Sequence, residues 1–303
     1  MAENRLRVVC GPTAAGKSAI AALLAIEYTG SLISADSRQI YRGFDIGTAK
    51  PTISEMKAIP HYGIDVANPT ERYSASDWAT AASQWVEDTQ RAGRAPLIVG
   101  GTGFYIKALF DPLFEAPEID KERRASFEAF AASMPVPELR TWCRALDPAR
   151  SHLGRSQLTR AIETALLSGH RISELHSSRS RDSRWAAAYL VVDPGPELAR
   201  RIETRVDEMF DAGWLNEVEN LDRSIPDDAP AWKASGYTTM RSVARGEADL
   251  SSARDRIIIE TRQYAKRQRT WFRHQLGEAH VTRVDPSRPD WEAIVQRWWK
   301  ETS

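Results

Sequence analysis

A glycine-rich run with a lysine and a serine, close to the start of the chain, has recognisable chemistry. It reads Gly11, Pro12, Thr13, Ala14, Ala15, Gly16, Lys17 and Ser18, a complete G-x-x-x-x-G-K-[ST] phosphate loop. Glycines let successive N–H groups point at one set of oxygens, and the lysine adds a full positive charge. We therefore expect a diphosphate or triphosphate site, with Mg²⁺ as its cofactor and the Ser18 hydroxyl as a metal ligand. The loop alone does not say whether the phosphates belong to a nucleotide.

The predicted elements place this loop between a strand and a helix. Three short apolar runs predict strands: Arg5–Cys10, Ser31–Ala35 and Pro96–Gly100. Helical periodicity follows each run, beginning with Ser18–Glu27, and this alternation indicates a parallel sheet covered by helices. Ligands of such sheets bind at the carboxyl ends of the strands. We therefore expect the phosphate loop, the run Asp36–Gln39 and the turn Gly100–Gly103 to converge on one site.

The central part of the chain has a different pattern. Residues 115–184 contain no strand-like run, and Ser156–Leu167 carries an apolar stripe at helical spacing. The run Ala186–Val192 then returns to a strand, and we expect the remainder to be helical. The sequence thus predicts an α/β P-loop core made of residues 1–114 and 185–303, with an all-helical insertion domain at residues 115–184.

Basic residues are concentrated in two segments of a chain that is neutral overall. The chain has 41 lysines and arginines and 41 acidic residues, so any polyanionic partner must be held locally. Residues 150–184 contain seven arginines against three acidic residues, and residues 254–273 contain seven basic residues against two acidic ones. Read as a helix, the second segment places four of its basic residues on one face. Such faces are either ordinary solvated surface or a surface for RNA or another polyanion.

Composition and cysteine content argue against several classes of protein. No apolar run approaches the roughly 18 residues of a membrane span, and the first residues lack the apolar core of a signal peptide. Cys10 and Cys143 are too few and too far apart for a disulfide scaffold or a zinc site, which suits a reducing cytosol. We expect a cytoplasmic monomer that does not bind membranes.

Several longer segments accompany the phosphate loop: Ile33–Pro51, His61, Asp65, Tyr73–Ala75, Val99–Tyr105, Arg201–Met209 and Lys266–Arg273. Together they resemble the tRNA dimethylallyltransferase family, also called tRNA isopentenyltransferases, over residues 5 to about 275. No Cys/His pair follows residue 280, where eukaryotic members commonly carry a zinc finger. The resemblance is therefore to the bacterial type of the family.

The resemblance implies an activity and roles for four residues. A dimethylallyl group would pass from dimethylallyl diphosphate to the exocyclic amine, N6, of the adenosine 3′ of the anticodon in tRNA, with release of diphosphate. The phosphate-loop amides, Lys17 and Arg205 would stabilise the leaving diphosphate. Asp36 would accept the proton of the amine, and Thr102 would form a hydrogen bond near it and shape the channel. The residues alone leave a second role open for Asp36, that of a Mg²⁺ ligand in an ordinary nucleotide site.

The same resemblance implies contacts to the anticodon stem-loop, with the target base flipped out of the loop. The implied contact residues are Asp36, Ser37, Arg38, Gln39, Gln157, Arg160, Lys266, Arg267, Arg269, Trp271 and Arg273. Gln157 and Thr238 depart from the family pattern, because each stands where a basic residue is usual. Trp271 has a second interpretation as a core residue.

Three other functions share part of these features. An enzyme that prenylates free adenine nucleotides would use the same loop, Asp36 and Thr102, but would not need an RNA surface. A small-molecule kinase would need an adenine site and lid arginines, which the region Gly101–Leu109 does not suggest. A GTPase-like switch or a non-catalytic RNA-binding protein is disfavoured because the chain lacks an Asn-Lys-x-Asp guanine motif.

Overall fold

A computed structural model of the chain describes residues 5–111, 117, 119–177, 184–276 and 280–302. The chain divides into two compact units, one made of Met1–Pro112 with Ser183–Ser303 and the other of Leu113–Asp182. The domain junction predicted at residues 114 and 115 lies outside the described residues. Within the described ranges, no helix is both long and apolar enough to cross a membrane.

The first unit contains a six-stranded parallel sheet, which confirms the predicted α/β class. Its strands are β1 (Arg5–Cys10), β2 (Gly30–Ser34), β3 (His61–Tyr62), β4 (Ala95–Gly100), β5 (Ala186–Val192) and β6 (Val281–Val284). Their order is β3-β2-β4-β1-β5-β6, and every neighbouring pair is parallel. The expectation that everything after β5 is helical was wrong at β6. That strand has only four residues and carries Thr282 and Arg283 at its centre, so it lacks the apolar run of a buried strand.

Nine described helices surround this sheet. They are α1 (Lys17–Glu27), α2 (Ile53–Ala58), α3 (Ala75–Arg91), α4 (Gly103–Phe110), α9 (Leu198–Asp211), α10 (Trp214–Asp222), α11 (Tyr237–Ala244), α12 (Leu250–Gln275) and α13 (Trp291–Glu301). All five residues of β2 are buried, as are the last four of β4. Burial on both faces explains why these strands read as continuous apolar runs and not as alternating ones.

Side-chain caps fix where two of the helices begin. Ser74 accepts a hydrogen bond from the Asp77 backbone N–H at 3.1 Å, and the Asp77 carboxylate accepts one from the Ser74 backbone N–H at 2.8 Å. The spacing of Ser74 and Asp77 in the sequence predicts this capping box, and the box starts α3. Asp249 caps α12 through the Ser252 backbone N–H. The 26-residue helix that follows buries one apolar side, which includes Ile257 and Phe272.

Helices form the regular secondary structure in the described part of the second unit. Its helices are α5 (Lys121–Ser133), α6 (Val136–Leu146), α7 (Arg155–Ser168) and α8 (Ile172–Ser177). Helix α7 coincides within one residue at each end with the helix predicted at Ser156–Leu167. A small apolar core includes Phe127, Leu139, Leu158 and Ile162, which supplies this unit with its own hydrophobic stabilisation.

Candidate active site

The phosphate loop leaves β1 in a conformation that its glycines require. Gly11 has a φ of 144°, and a Cβ at this position would collide with the Val192 carbonyl oxygen of β5. Gly16 precedes α1 with a φ of 97°, and no side chain among the described residues caps the first turn of that helix. The N–H groups of the loop and of the first turn are therefore arranged as an anion site at a helix N-terminus.

Two cations lie close enough to interact at this loop. The Lys17 ammonium donates to the Pro12 carbonyl at 2.7 Å. Burial and the neighbouring charge of Arg205 lower the pKa of Lys17 to about 8, while Asp36 opposes this shift. Burial likewise lowers the pKa of Arg205, a residue of α9, and Asp36 again opposes the shift. Two confined positive charges favour the binding of a group that carries negative charge.

Asp36 lies in a turn that is tied to the end of β4. Its Oδ1 accepts from the Arg38 backbone N–H at 2.8 Å. The Thr102 hydroxyl accepts from the Ser37 backbone N–H at 3.0 Å, and the Thr102 backbone N–H donates to the Ala35 carbonyl at 3.0 Å. Hydrogen bonds thus join the residues that follow β2 and β4, as expected for neighbouring strands of the sheet. Asp36 and Thr102 are fixed relative to one another by three hydrogen bonds.

One cavity of about 390 Å³ joins these groups, within the size range of small-molecule sites. Lys17, Ser18, Asp36 and Arg205 line it together with Thr13. The rest of its wall is largely apolar and includes Ala22, Ile26, Leu32, Ile59, Ile64 and Val99. The cavity can therefore hold a phosphate group at one end and a short hydrocarbon chain beside it.

Sequence reasoning assigned no role to Tyr264 or Gln268, although both face this site. Burial and, next, the Asp36 carboxylate raise the pKa of Tyr264 to about 12, and a side-chain hydrogen bond with Thr102 opposes the shift. Gln268 is bonded to the Thr13 backbone N–H and to the Gly101 carbonyl. Tyr264, Gln268 and Trp271 are separated by four and then three positions along α12, so they lie on one face of the helix. That helical spacing was the signal available in the sequence.

The predicted tRNA-binding residues of α12 have two kinds of surroundings. Lys266, Arg267 and Arg273 are exposed. Arg269 instead pairs with the Asp193 carboxylate and donates to a backbone carbonyl of the turn after β5. Trp271 packs so closely on Gly103 that a Cβ there would overlap its ring. Three of these five side chains are thus exposed, although Arg267 also lies 5.8 Å from the centre of the Tyr264 ring. Arg269 and Trp271 are held by contacts within the fold.

Residues beside Asp36 also differ in their surroundings. Arg38 lines a small cavity next to Asp36, Arg205 and Tyr264. The Gln39 amide bonds the Ser34 hydroxyl and the carbonyls of Thr48 and Ala49, so its hydrogen bonds shape the loop that follows β2.

In the second unit, Gln157 and Arg160 both lie on α7. Gln157 is exposed near the helix start, where its side chain accepts from the Gly154 backbone N–H. Arg160 pairs at 2.9 Å with Glu163, which is buried and also pairs with Arg124. The Glu163 carboxylate therefore holds two arginines at the edge of this small core.

Comparison with known proteins identifies the family. A family model described as IPP transferase matches residues 39–275, and one described as isopentenyl transferase matches residues 4–66. The chain is 40% identical over 299 residues to a tRNA dimethylallyltransferase from Anaeromyxobacter sp. (strain K), covering 97% of this chain and 96% of that one. The chain belongs to the tRNA dimethylallyltransferase family. This confirms the predicted family and its class of enzyme, a prenyltransferase.

Solved structures of the same family share the fold. A full-length tRNA isopentenylpyrophosphate transferase from Bacillus halodurans aligns with a TM-score of 0.69 at 33% identity, covering 99% of this chain and 96% of that chain. A eukaryotic dimethylallyltransferase acting on tRNA aligns with a TM-score of 0.80 at 24% identity, covering 97% of this chain and 77% of that chain. The second likeness supports the fold alone.

Proposed function

We propose that the chain transfers a dimethylallyl group from dimethylallyl diphosphate to N6 of the adenosine 3′ of the anticodon in tRNA, and releases diphosphate. The observation that carries this proposal is the composition of the cavity wall. Phosphate-binding groups, a carboxylate and a short apolar surface line the same space. This combination suits an allylic diphosphate. Its hydrocarbon chain is short and apolar, so it does not need the aromatic surface on which a nucleotide base would stack.

The reaction breaks one carbon–oxygen bond and forms one carbon–nitrogen bond. The electron pair of the breaking bond goes to the bridging oxygen of the diphosphate, where negative charge develops. The loop amides, Lys17 and Arg205 stabilise that charge, because they are positioned before the reaction and partly withdrawn from water. Their stabilisation is greatest as the bond breaks, which is the condition for lowering the barrier.

Asp36 acts as the general base in this proposal. The N6 lone pair attacks the allylic carbon, and the amine proton that becomes acidic passes to the Asp36 carboxylate. The Arg38 N–H bond holds that carboxylate at the cavity, and Thr102 is fixed beside it. Thr102 and the neighbouring Tyr264 hydroxyl are then available to orient the amine.

Mg²⁺ fits this site through Ser18. Ser18 lines the cavity with Asp36, and Mg²⁺ in phosphate sites commonly takes several ligands from phosphate oxygens and water. When bound, the ion would neutralise charge on the diphosphate. Within the described residues, no cluster of three or more His, Cys, Asp or Glu side chains could hold a metal. The ion would therefore depend on the diphosphate for most of its ligands.

The acceptor is the anticodon stem-loop, held by charge and by stacking. Lys266, Arg267 and Arg273 offer an exposed basic surface on α12, and Arg38 lies beside Asp36, the proposed general base. In the second unit, Arg160 and Gln157 are further contacts proposed from the family pattern. Extrusion of an unpaired loop base costs only a few kcal/mol. We propose that the enzyme acts as a monomer in the cytoplasm.

The test supplies purified protein with Mg²⁺ and radiolabelled dimethylallyl diphosphate, with either unmodified tRNA or AMP as acceptor. We expect label in tRNA alone. Label in AMP would instead assign the protein to the enzymes that prenylate free nucleotides. ATP hydrolysis without transfer to either acceptor would favour a kinase or a switch and contradict the proposal.

A further inference from the structure

Gln268, a buried polar side chain of α12, links two loops of the candidate site. The residue is only 6% exposed. Its Oε1 accepts from the Thr13 backbone N–H at 2.8 Å, and its Nε2 donates to the Gly101 carbonyl at 2.8 Å. One end of the amide therefore bonds the phosphate loop after β1, and the other end bonds the turn after β4.

The amide of Gln268 packs closely on Gly101. A Cβ on Gly101 would collide with Nε2 of Gln268 and would lie 3.3 Å from the Gly11 carbonyl oxygen. The turn is thus in close contact with both the phosphate loop and the side chain that joins them. A change in the length of residue 268 or in its hydrogen bonding would alter the separation of the two loops.

The bond to Thr13 also affects the diphosphate site directly. Thr13 lies in the middle of the phosphate loop and lines the cavity, yet its N–H is already directed at Gln268. The curvature of the loop is therefore fixed by the protein before any anion arrives. The other N–H groups of the loop are thereby preorganised as donors, and such donors avoid the cost of reorganisation during the reaction.

The position of Gln268 on α12 connects this linkage to the acceptor side. Tyr264, one turn earlier, lines the small cavity that Asp36 and Arg38 also line, and Thr102 holds the turn that carries Asp36. Lys266 and Arg267 project from the exposed side of the same helix segment. One helix thus contacts the diphosphate loop and the base-bearing turn through residues only four positions apart.

We propose that Gln268 is a positioning residue that sets the distance between the phosphate loop and the Gly100–Gly103 turn, so that bound diphosphate lies in line with Asp36 and Thr102. This inference rests on the proposed function. Gln268 acts through Thr13 and Gly101 and not on the reacting atoms. Misplacement by about 1 Å can cost on the order of 10²-fold in rate, and we expect losses of that size in kcat/KM for the diphosphate.

Three variants of the full chain test the proposal. Gln268→Met keeps most of the volume but loses both hydrogen bonds. Gln268→Asn keeps the amide but is one methylene shorter, so it cannot reach both partners. Gln263→Met is the matched control, because Gln263 is exposed on the same helix. For each, we would measure kcat, KM for dimethylallyl diphosphate, Kd for tRNA and Tm.

We expect Gln268→Met and Gln268→Asn each to lower kcat and to raise KM for the diphosphate. Kd for tRNA should stay within about twofold of wild type, and Gln263→Met should match wild type throughout. If Gln268→Met does not fold, Gln268→Asn decides. The proposal is overturned if a folded Gln268 variant keeps wild-type kcat/KM, or if its tRNA affinity falls as much as its rate. Failure of the wild-type protein to transfer label would instead contradict the proposed function.

Discussion

The two sides of the cavity are assembled in different ways. The diphosphate side is built mainly from one contiguous run, Gly11–Ser18, to which α9 adds Arg205. The acceptor side is assembled from residues that are distant in sequence, including Asp36, Thr102 and Tyr264. The conformation of a contiguous backbone motif is determined by its own local sequence. The geometry of a dispersed site depends instead on the sheet order and on α12. Substitutions should therefore affect the two sides differently, and the following predictions test that difference.

Removing the proposed base should have the largest effect and should act on the acceptor side alone. Asp36→Asn keeps an oxygen for the Arg38 N–H but cannot accept a proton from the amine. We expect kcat to fall by about 10²–10⁴-fold, with Kd for tRNA and KM for the diphosphate little changed. Asp211→Asn, an exposed carboxylate at the end of α9, is the control. Unchanged turnover in Asp36→Asn would remove this residue from the mechanism.

Removing the lysine of the phosphate loop should instead impair binding and rate together. Lys17→Ala loses a charge that contacts the diphosphate both before and during bond breaking. We expect kcat/KM for the diphosphate to fall by roughly 10²–10³-fold, while tRNA affinity is retained. Steady-state kinetics would be compared with those of Lys57→Ala, a change on exposed α2. A rate defect without any binding defect would contradict the account of the diphosphate side.

The lowered pKa of Lys17 predicts how diphosphate affinity depends on pH. Its ammonium has a pKa of about 8 because of burial and Arg205, so the charged form predominates below pH 8 and is lost above it. Affinity should therefore be constant below about pH 8 and should fall by up to about tenfold per pH unit above it. Titration calorimetry between pH 7 and 10 would measure this. Lys17→Ala should bind the diphosphate weakly at every pH and show no further loss of affinity above pH 8. If affinity still falls above pH 8 in that variant, another group is responsible for the pH dependence.

The basic surface of α12 should have the smallest effect per residue, and it should act on tRNA alone. Removing Lys266 and Arg267 should weaken tRNA binding and reduce the slope of log Kobs against log salt by about 0.7 per lost contact with single-stranded RNA. Arg269→Ala should behave differently, because Arg269 holds Asp193. We expect it to lower the free energy of unfolding by roughly 1.5–3 kcal/mol. Salt titrations and denaturant unfolding would separate the two cases, and equal salt slopes for all three positions would contradict the distinction.

The contrast also explains how much the sequence could predict. The phosphate loop, the parallel sheet and the capping box at Ser74 all follow from local patterns, and the structure confirms the sheet and the cap. The role of Gln268 depends on Thr13 and Gly101, which lie 255 and 167 positions away in the chain. Arg267 and Arg269 are chemically identical and only two positions apart, yet Arg269 has a carboxylate partner and Arg267 is exposed. No local pattern separates such neighbours, because the partner comes from another element.

The central claim is that one cavity brings an allylic diphosphate to a single adenosine of tRNA. Unmodified tRNA would be incubated with the protein, Mg²⁺ and dimethylallyl diphosphate, and its nuclease fragments would be analysed by mass spectrometry while released diphosphate is counted. We expect one dimethylallyl group on N6 of the adenosine 3′ of the anticodon, with one diphosphate released per group transferred. Modification at another nucleotide, or diphosphate release without transfer, would contradict the account.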